Sequence, residues 1–452
     1  MPTIPLGKDA YERADNFQPA TRLLNLYLEE DKQGLSPDGF NRLQRPGLAA
    51  FANFGSAPIR AVYQEENVQS GQPIFVSGTG VYVTDGVTNE QIATVGDDNQ
   101  IAAICGAYER IGIVTDGKFY ASHPDTGNIA EVEVPDLKIP VWVDSINSYF
   151  VIACSDGTFF WMEPSAVEID PLDFATAESS PDGLVAVKRL GDELLFFGRS
   201  TVEVWQTTGS ADAPFTRSAG RLHDKGCLAG PTISSFDNSL IWISEDNIVF
   251  RHSNVPTRIS THAIEEALRN ASGFVSAFTF THDAHAFYVV RIPGQGSFAF
   301  DASTGTWCEF GTYGETEWKP HVCIHTREGV FLGDSASGQA WLLDPSSNTD
   351  AGTAIERLAT ATIPIAGKPV RNDSLTIYAG SSANTTLQVR WYDSGEEAGS
   401  WTDVALQSPS DNPSILRLGR AFQPLRTYEV RCIEDVQLRL SGATLNEHWR
   451  TR

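Results

Sequence analysis

The strongest constraint on this chain is a recurring pair of short apolar runs joined by a tight turn. Tyr149 to Cys154 is an apolar run closed by Ser155-Asp156-Gly157, and Thr158 to Met162 runs back. Leu194 to Phe197 and Thr201 to Trp205 repeat the arrangement around Gly198-Arg199-Ser200. Asp-Gly after a β-rich run supplies the positive φ that a tight hairpin needs. A lone hairpin of this size is not stable in water, so each must stack on neighbours. From Ile59 onward, further turns fall at Asp85-Gly86, Asp116-Gly117 and Asp125-Thr126-Gly127. Hairpins begin near Arg110, Ser148, Asp192, Asn238, Ala284 and Glu328. Successive starts lie about 38 to 46 residues apart, the interval of four-stranded propeller blades. The repeat is one of structure rather than letters, without the WD pairs of some propellers. Asp301-Ala-Ser-Thr-Gly305-Thr-Trp307 has the form of many propeller turns but not the register of a sialidase Asp-box. The expected fold is all-β, with a β-propeller of six or seven blades over residues 59–355. Its last blade is open to completion by N-terminal strands.

From residue 356 the hairpin period stops. Leu375-Thr-Ile-Tyr-Ala, Thr386-Leu-Gln-Val-Arg-Trp-Tyr, Ile415-Leu-Arg-Leu, Tyr428-Glu-Val-Arg-Cys and Val436-Gln-Leu-Arg-Leu alternate apolar and polar. Such alternation marks antiparallel strands with one buried and one wet face. Residues 356–452 therefore read as a C-terminal β-sandwich-like antiparallel domain. Its wet face carries Arg390, Arg417, Arg431 and Arg439. These are either ordinary solvated positions or a basic stripe that docks an acidic partner or another copy. Residues 1–58 read as an extended lead-in that pairs with later strands, Leu23 to Leu28 being strand-like. A helix is expected over Ser260 to Arg269, where Ser and Thr precede an acidic first turn and Ile264, Ala267 and Leu268 share one face. It packs on the propeller rim, or it offers Glu265 and Arg269 to a neighbouring subunit.

Composition narrows the chemistry. A net charge of −24 and a pI near 4.7 argue against wrapping DNA, which needs clustered Lys and Arg to release counterions. Acidity also simply favours solubility. Hydrophobic content of 41% suffices for a globular core. The cysteines at 105, 154, 227, 308, 323 and 432 lack the close spacing of a disulfide scaffold or zinc ribbon, and read as reduced, buried thiols. His321-Val-Cys323-Ile-His325 is the most metal-like run. Alternate residues on one strand lie about 7 Å apart, too far for all three to bind one ion. His282-Asp283-Ala-His285 reads as a hairpin turn with local hydrogen bonds. No Gly-rich phosphate loop opens a helix, and no nucleophile elbow stands out. Trp142, Trp161, Trp205, Trp242, Trp307, Trp318 and Trp341 are spread through the blades, which favours core packing over one sugar platform. No catalytic residue, cofactor or metal is expected. The N-terminus lacks the apolar core of a signal peptide, and no segment approaches the roughly 20 apolar residues of a membrane span.

Asp173-Phe174, Glu178-Ser179, Pro181-Asp182-Gly183, Phe197-Gly198, Ser200-Thr201-Val202-Glu203, Thr208-Gly209 and Lys225-Gly226 occur in that order. Together with Arg45-Pro46-Gly47 and Ser441-Gly442, the set resembles the packaged-DNA stabilisation proteins of short-tailed phages, also called tail accessory or tail hub proteins. The resemblance is strongest over residues 141–230, and the ordered set carries it rather than any one motif. It implies a non-enzymatic virion protein, assembled in host cytoplasm and placed in the tail. Copies would form a hexameric ring below the portal or a head-completion adaptor. The ring would extend the DNA channel, retain packaged DNA that passes without sequence-specific binding, and anchor tail fibres, tailspikes or a plug. A nozzle further down the tail shares this chemistry. A different class also fits a propeller: a carbohydrate-binding module or glycoside-active enzyme. A convergent cluster of acids and aromatics at the central pore would favour it.

Overall fold

Each of the repeating hairpins grows into a four-stranded antiparallel unit, and among the described residues there are seven such units. The computed structural model describes residues 3–7, 21–177, 182–210, 213–365, 370–421 and 424–448. Blades 1 to 6 span 59–94, 103–132, 140–176, 184–223, 234–258 and 276–310. Blade 7 takes its first three strands from Pro320–His325, Val330–Asp334 and Gln339–Asp344. Its fourth is Gly47–Asn53, antiparallel to Gln339–Asp344. Blade 7 packs on blade 1 and closes the ring. Gly47–Asn53 thus lies in the propeller although it falls in the stretch expected as a lead-in. Its burial does not alternate cleanly, so period-two patterning does not announce it as a strand.

The apolar cores lie between blades rather than within them. Ala103, Phe119, Phe150 and Ile152 fill the seam of blades 2 and 3. Phe159, Phe196 and Trp205 fill that of blades 3 and 4, with Phe159 stacked on Phe196 at 4.2 Å. Burying one such side chain contributes about 1.5–3 kcal/mol, so stability depends on neighbours, as the marginal size of each hairpin requires. Trp242, Trp307 and Trp318 are fully buried in these seams. All six cysteines are free thiols, and five of them are buried. The helix, His262–Arg269, begins at Thr261, whose side chain caps the Ile264 N–H. It packs Ile264 and Leu268 into the core of blades 5 and 6.

The sheet of blade 6 does not stop at its fourth strand. Leu23–Leu24 pairs beside it, followed by Arg357–Pro364, Leu425–Cys432, Thr385–Asp393 and Thr402–Leu406, giving nine strands in one sheet. A seven-stranded second sheet faces this extension, built on Leu26–Glu30, Phe40–Gln44, Leu438–His448 and Val370–Ser381. Leu375, Ile377, Leu387, Val389, Tyr428, Val430 and Leu440 fill the space between the two sheets. The same core continues through Phe280, Phe287 and Phe310 of blade 6. The run Leu23 to Leu28, expected as one strand, is split by Asn25, whose φ is 54°. This single left-handed residue sends Leu23–Leu24 into one sheet and Leu26–Glu30 into the other.

Arg45 ties these parts together and is wholly buried. Its guanidinium donates to both Asp350 oxygens at 2.9 and 2.7 Å, to Asn25 Oδ1 at 2.7 Å and to the Gly311 carbonyl at 2.9 Å. It also lies 4.9 Å over the Trp318 ring. Gly47 is required beside it, because a Cβ there would meet the Thr349 carbonyl at 2.3 Å. Removing one partner of a buried pair leaves an uncompensated charge. Asp350→Ala is therefore expected to lower stability by about 3–5 kcal/mol, read as a fall in the urea midpoint. Arg45→Met combined with Asp350→Leu should cost less than Asp350→Ala alone.

Candidate functional site

Blade 4 shows how the ordered motifs of residues 173–226 act as one structure. Asp182 Oδ2 accepts from the Ser200 N–H and hydroxyl, both at 2.8 Å, and from the Thr201 N–H at 3.1 Å. This holds the Gly198-Arg199-Ser200 turn. A Cβ on Gly198 would lie 2.5 Å from the Asp182 carboxylate, and one on Gly226 would lie 2.0 Å from the Arg199 carbonyl. Glu203 is buried and accepts from the Trp205 indole at 3.1 Å. The Trp242 indole N–H of blade 5 reaches the Lys225 and Gly226 carbonyls, each at 3.1 Å. These motif residues therefore lock the seam from blade 3 to blade 5. Glu178, Ser179 and Pro181 lie outside the described residues.

The first strands of the seven blades enclose a central cavity of about 480 Å³. Asp144 is the one carboxylate among its described lining residues. It sits 3.4 Å from Lys188 Nζ and accepts from the Arg189 N–H at 2.9 Å. Glycoside hydrolysis uses two carboxylates, and the lining supplies one, already paired. Trp142, which also lines the cavity, packs against Gly230. Burial raises the pKa of both lining thiols, Cys105 and Cys323, so they stay protonated and weak as nucleophiles or metal ligands. Among the described residues, no group of three or more His, Cys, Asp or Glu is placed to hold a metal ion.

The histidine motifs serve packing. His321 Nε2 meets the Ile59 carbonyl of blade 1 at 2.6 Å, while Cys323 Sγ donates to the Thr279 carbonyl of blade 6 at 3.5 Å. His325 is exposed. The Asp283-Ala284 turn, with φ of 46° and 63°, presents His282 to Asp283 at 3.3 Å. His285 instead pairs with Asp301 at 2.7 Å and packs on Tyr27 at 4.8 Å. A contact that sequence reasoning missed joins blades 4 and 5: His223 and His252 meet Nε2 to Nε2 at 3.1 Å. Nothing in their sequence spacing marks it.

The residues expected to dock a partner are distributed differently from a single stripe. Arg390 and Arg431 lie on the nine-stranded sheet, bound to Glu429 at 2.5 Å and Glu356 at 3.3 Å. Both stack on Trp401, at 4.3 and 4.1 Å. Arg417 and Arg439 are exposed on the other sheet. Alternation along a strand assigns a side of that strand's own sheet, so arginines from two facing sheets point away from each other. Glu265 is not a surface residue either. It is 5% exposed, accepts from the Ser260 hydroxyl at 2.7 Å and pairs with Arg258 at 2.6 Å. It anchors the helix to blade 5, leaving Arg269 exposed.

The sequence pattern of the family described as "Bacteriophage P22 Gp10, beta-propeller" matches residues 3–348. The chain belongs to that family. It is thus a member of a phage structural family, and its propeller is the family fold. The "Tail hub protein gp10" of Salmonella phage P22 is 25% identical over 154 residues, covering 30% of this chain and 32% of that protein. The match thus spans about a third of the curated relative. Solved structures with similar backbones include BBS1N in complex with ARL6DN (10% identical, TM-score 0.45, covering 67% of this chain and 98% of that one). YCF48 from Cyanidioschyzon merolae is 13% identical with a TM-score of 0.45, covering 66% and 99%. The WD40 propeller domain of Doa1 is 11% identical with a TM-score of 0.44, covering 66% and 98%. Among the described residues, no helix of this P22 Gp10-type propeller is long and apolar enough to cross a membrane.

Two seam histidines make this propeller acid-sensitive. Burial, with the neighbouring His223, lowers His252 to about 4, and burial lowers His321 to about 4. The unfolded chain takes up both protons as pH falls below about 6.5, whereas the folded chain does not until about 4. Stability is therefore present above this window and is lost as pH falls through it. His252→Phe and His321→Asn should each flatten the acid limb of stability against pH by about one proton. Chemical melts from about pH 6.5 down to about pH 4 check this against the parent chain.

Proposed function

We propose that this chain is a tail hub of a short-tailed phage, acting as a head-to-tail adaptor. Copies form a ring of about six below the portal, closed by a heterologous contact repeated around one axis. The ring extends the DNA channel, helps retain the packaged genome and gives tail fibres, spikes or a plug a place to attach. The protein is made in host cytoplasm and resides in the virion tail. The observation that carries this reading is the family match across 3–348, joined to a propeller whose motif residues hold turns rather than perform chemistry.

The role is geometric. Seams filled by interlocked aromatics resist deformation, so the loops on both faces keep fixed positions for neighbours. The net charge of −24 suits a wall past which DNA slides without sticking, since like charge gives no counterion release. Copy number in purified virions, measured by quantitative mass spectrometry against the portal subunit, tests the reading. About half the portal's copy number is expected, as a six-fold ring below a twelve-fold portal requires. Absence from the particle would overturn it.

A further inference from the structure

Two exposed surfaces of this molecule, on blade 3 and on the sandwich, differ in charge. The first is the rim loop of blade 3, residues 163–173, leading into Phe174–Thr176. Val167, Leu172 and Phe174 are 49%, 82% and 46% exposed. Three large exposed apolar side chains within one short segment are candidates for a contact site. The loop's own charged side chains are all acidic: Glu163, Glu168, Asp170 and Asp173 fall between residues 163 and 177, with no Lys, Arg or His among them, while the buried Arg110 donates from beneath to the Glu163, Pro164 and Ala166 carbonyls. The loop is folded, not slack. The Asp173 N–H donates to the Asp170 carbonyl at 2.9 Å, the Leu172 N–H donates to Asp170 Oδ1 at 2.9 Å, and Phe174 packs 5.9 Å from Phe160. Burial and the charges of Asp170 and Glu163 raise the Asp173 carboxyl, so this cluster would be relieved by a cation.

The second surface is Ser414–Ala421, which among the described residues pairs on one side only, with Val370–Ser381. Leu416 is 69% exposed, and Arg417 and Arg420 are exposed beside it. Arg371 stands opposite Arg420 across the strand pair. Arg371 is itself paired with Asp373 at 2.8 Å, so the positive side chains offered beside Leu416 are Arg417 and Arg420, in a chain that is acidic overall.

Topology places the two surfaces apart. The sandwich grows from blade 6, and in a ring of seven blades no blade is further from blade 6 than blade 3. Complementary patches at two separate places on one copy are what a head-to-tail contact needs, and the contact closes into a ring when the rotation between the patches divides the circle. We propose that the blade 3 rim loop of one copy receives the Ser414–Ala421 edge strand of the next. Leu416 seats among Val167, Leu172 and Phe174, while Arg417 and Arg420 face Glu168, Asp170 and Asp173. The contact rests on the ring-forming reading above and supplies its interface.

Sedimentation velocity on the full chain tests it, with variants made only at exposed side chains so that folding, followed by circular dichroism, is preserved. Wild type should self-associate, more weakly at high salt. Arg417→Glu with Arg420→Glu should weaken association at least about tenfold, as should Glu168→Arg with Asp170→Arg. Mixing the two charge-reversed chains should restore association between them, because each then carries the sign the other needs. Leu172→Asp should weaken association at any salt. If wild type assembles and neither one-sided reversal changes it, this contact is wrong while the ring stands. If wild type stays monomeric at every concentration, the contact falls, and the copy number in virions decides the ring.

Discussion

A buried arginine whose partners come from both ends of the propeller holds the rest in place. Arg45 reaches Asp350 across 305 residues and the Gly311 carbonyl across 266. It lies two residues before the strand that completes blade 7. Without that strand, blade 7 has three strands and an open edge, and the ring has a seam that nothing fastens. The entropy of closing so long a loop grows only with the logarithm of its length, so one full strand ladder with a fixed ion pair suffices to offset it. The desolvation of Arg45 is matched by two carboxylate bonds, an amide oxygen, carbonyls and an aromatic face. This is the fully satisfied arrangement in which a buried charge is tolerable.

The same knot determines where the sandwich sits. Asn25 donates to the Gly311 and Glu356 carbonyls at 3.1 and 2.8 Å, and its own Oδ1 accepts from Arg45 and from the Gly311 N–H. The residue that splits the N-terminal run between two sheets is thus the residue that supports Arg45. Because Leu23–Leu24 continues the sheet of blade 6 and the core runs through without a gap, the sandwich is an outgrowth of the propeller. Force applied to its outer edge is carried into blade 6 through backbone ladders and packed side chains rather than through a linker.

Much of the blade architecture was legible because it is local. Asp-Gly and Thr-Gly turns between apolar runs specify hairpins, and the hairpin interval specifies blades. What was not legible is long-range. Gly47–Asn53 reads Gly-Leu-Ala-Ala-Phe-Ala-Asn, and small residues on both faces give no period to find. That an N-terminal strand could complete the last blade was legible, but which strand was not, because its partner near residue 340 is named by no local pattern. The arginine stripe failed for a related reason: patterning tells each strand in from out but not which of two sheets it joins. Glu265 sits in the first helical turn, where an acidic residue is expected to be exposed and to favour the helix dipole. Its burial depends on Arg258, which reaches it from the end of the preceding blade.

The residues through which the family resemblance is carried are informative in what they do. Asp182, Gly198, Ser200, Thr201, Gly226 and the Arg45-Pro46-Gly47 run all hold backbone in place. Among the described residues lining the central cavity, which are mostly apolar and small polar, the one acid is Asp144, paired with Lys188. The polar side chains of these motifs are used on turns and seams. Seams packed this tightly keep the loops at the propeller's periphery in fixed positions.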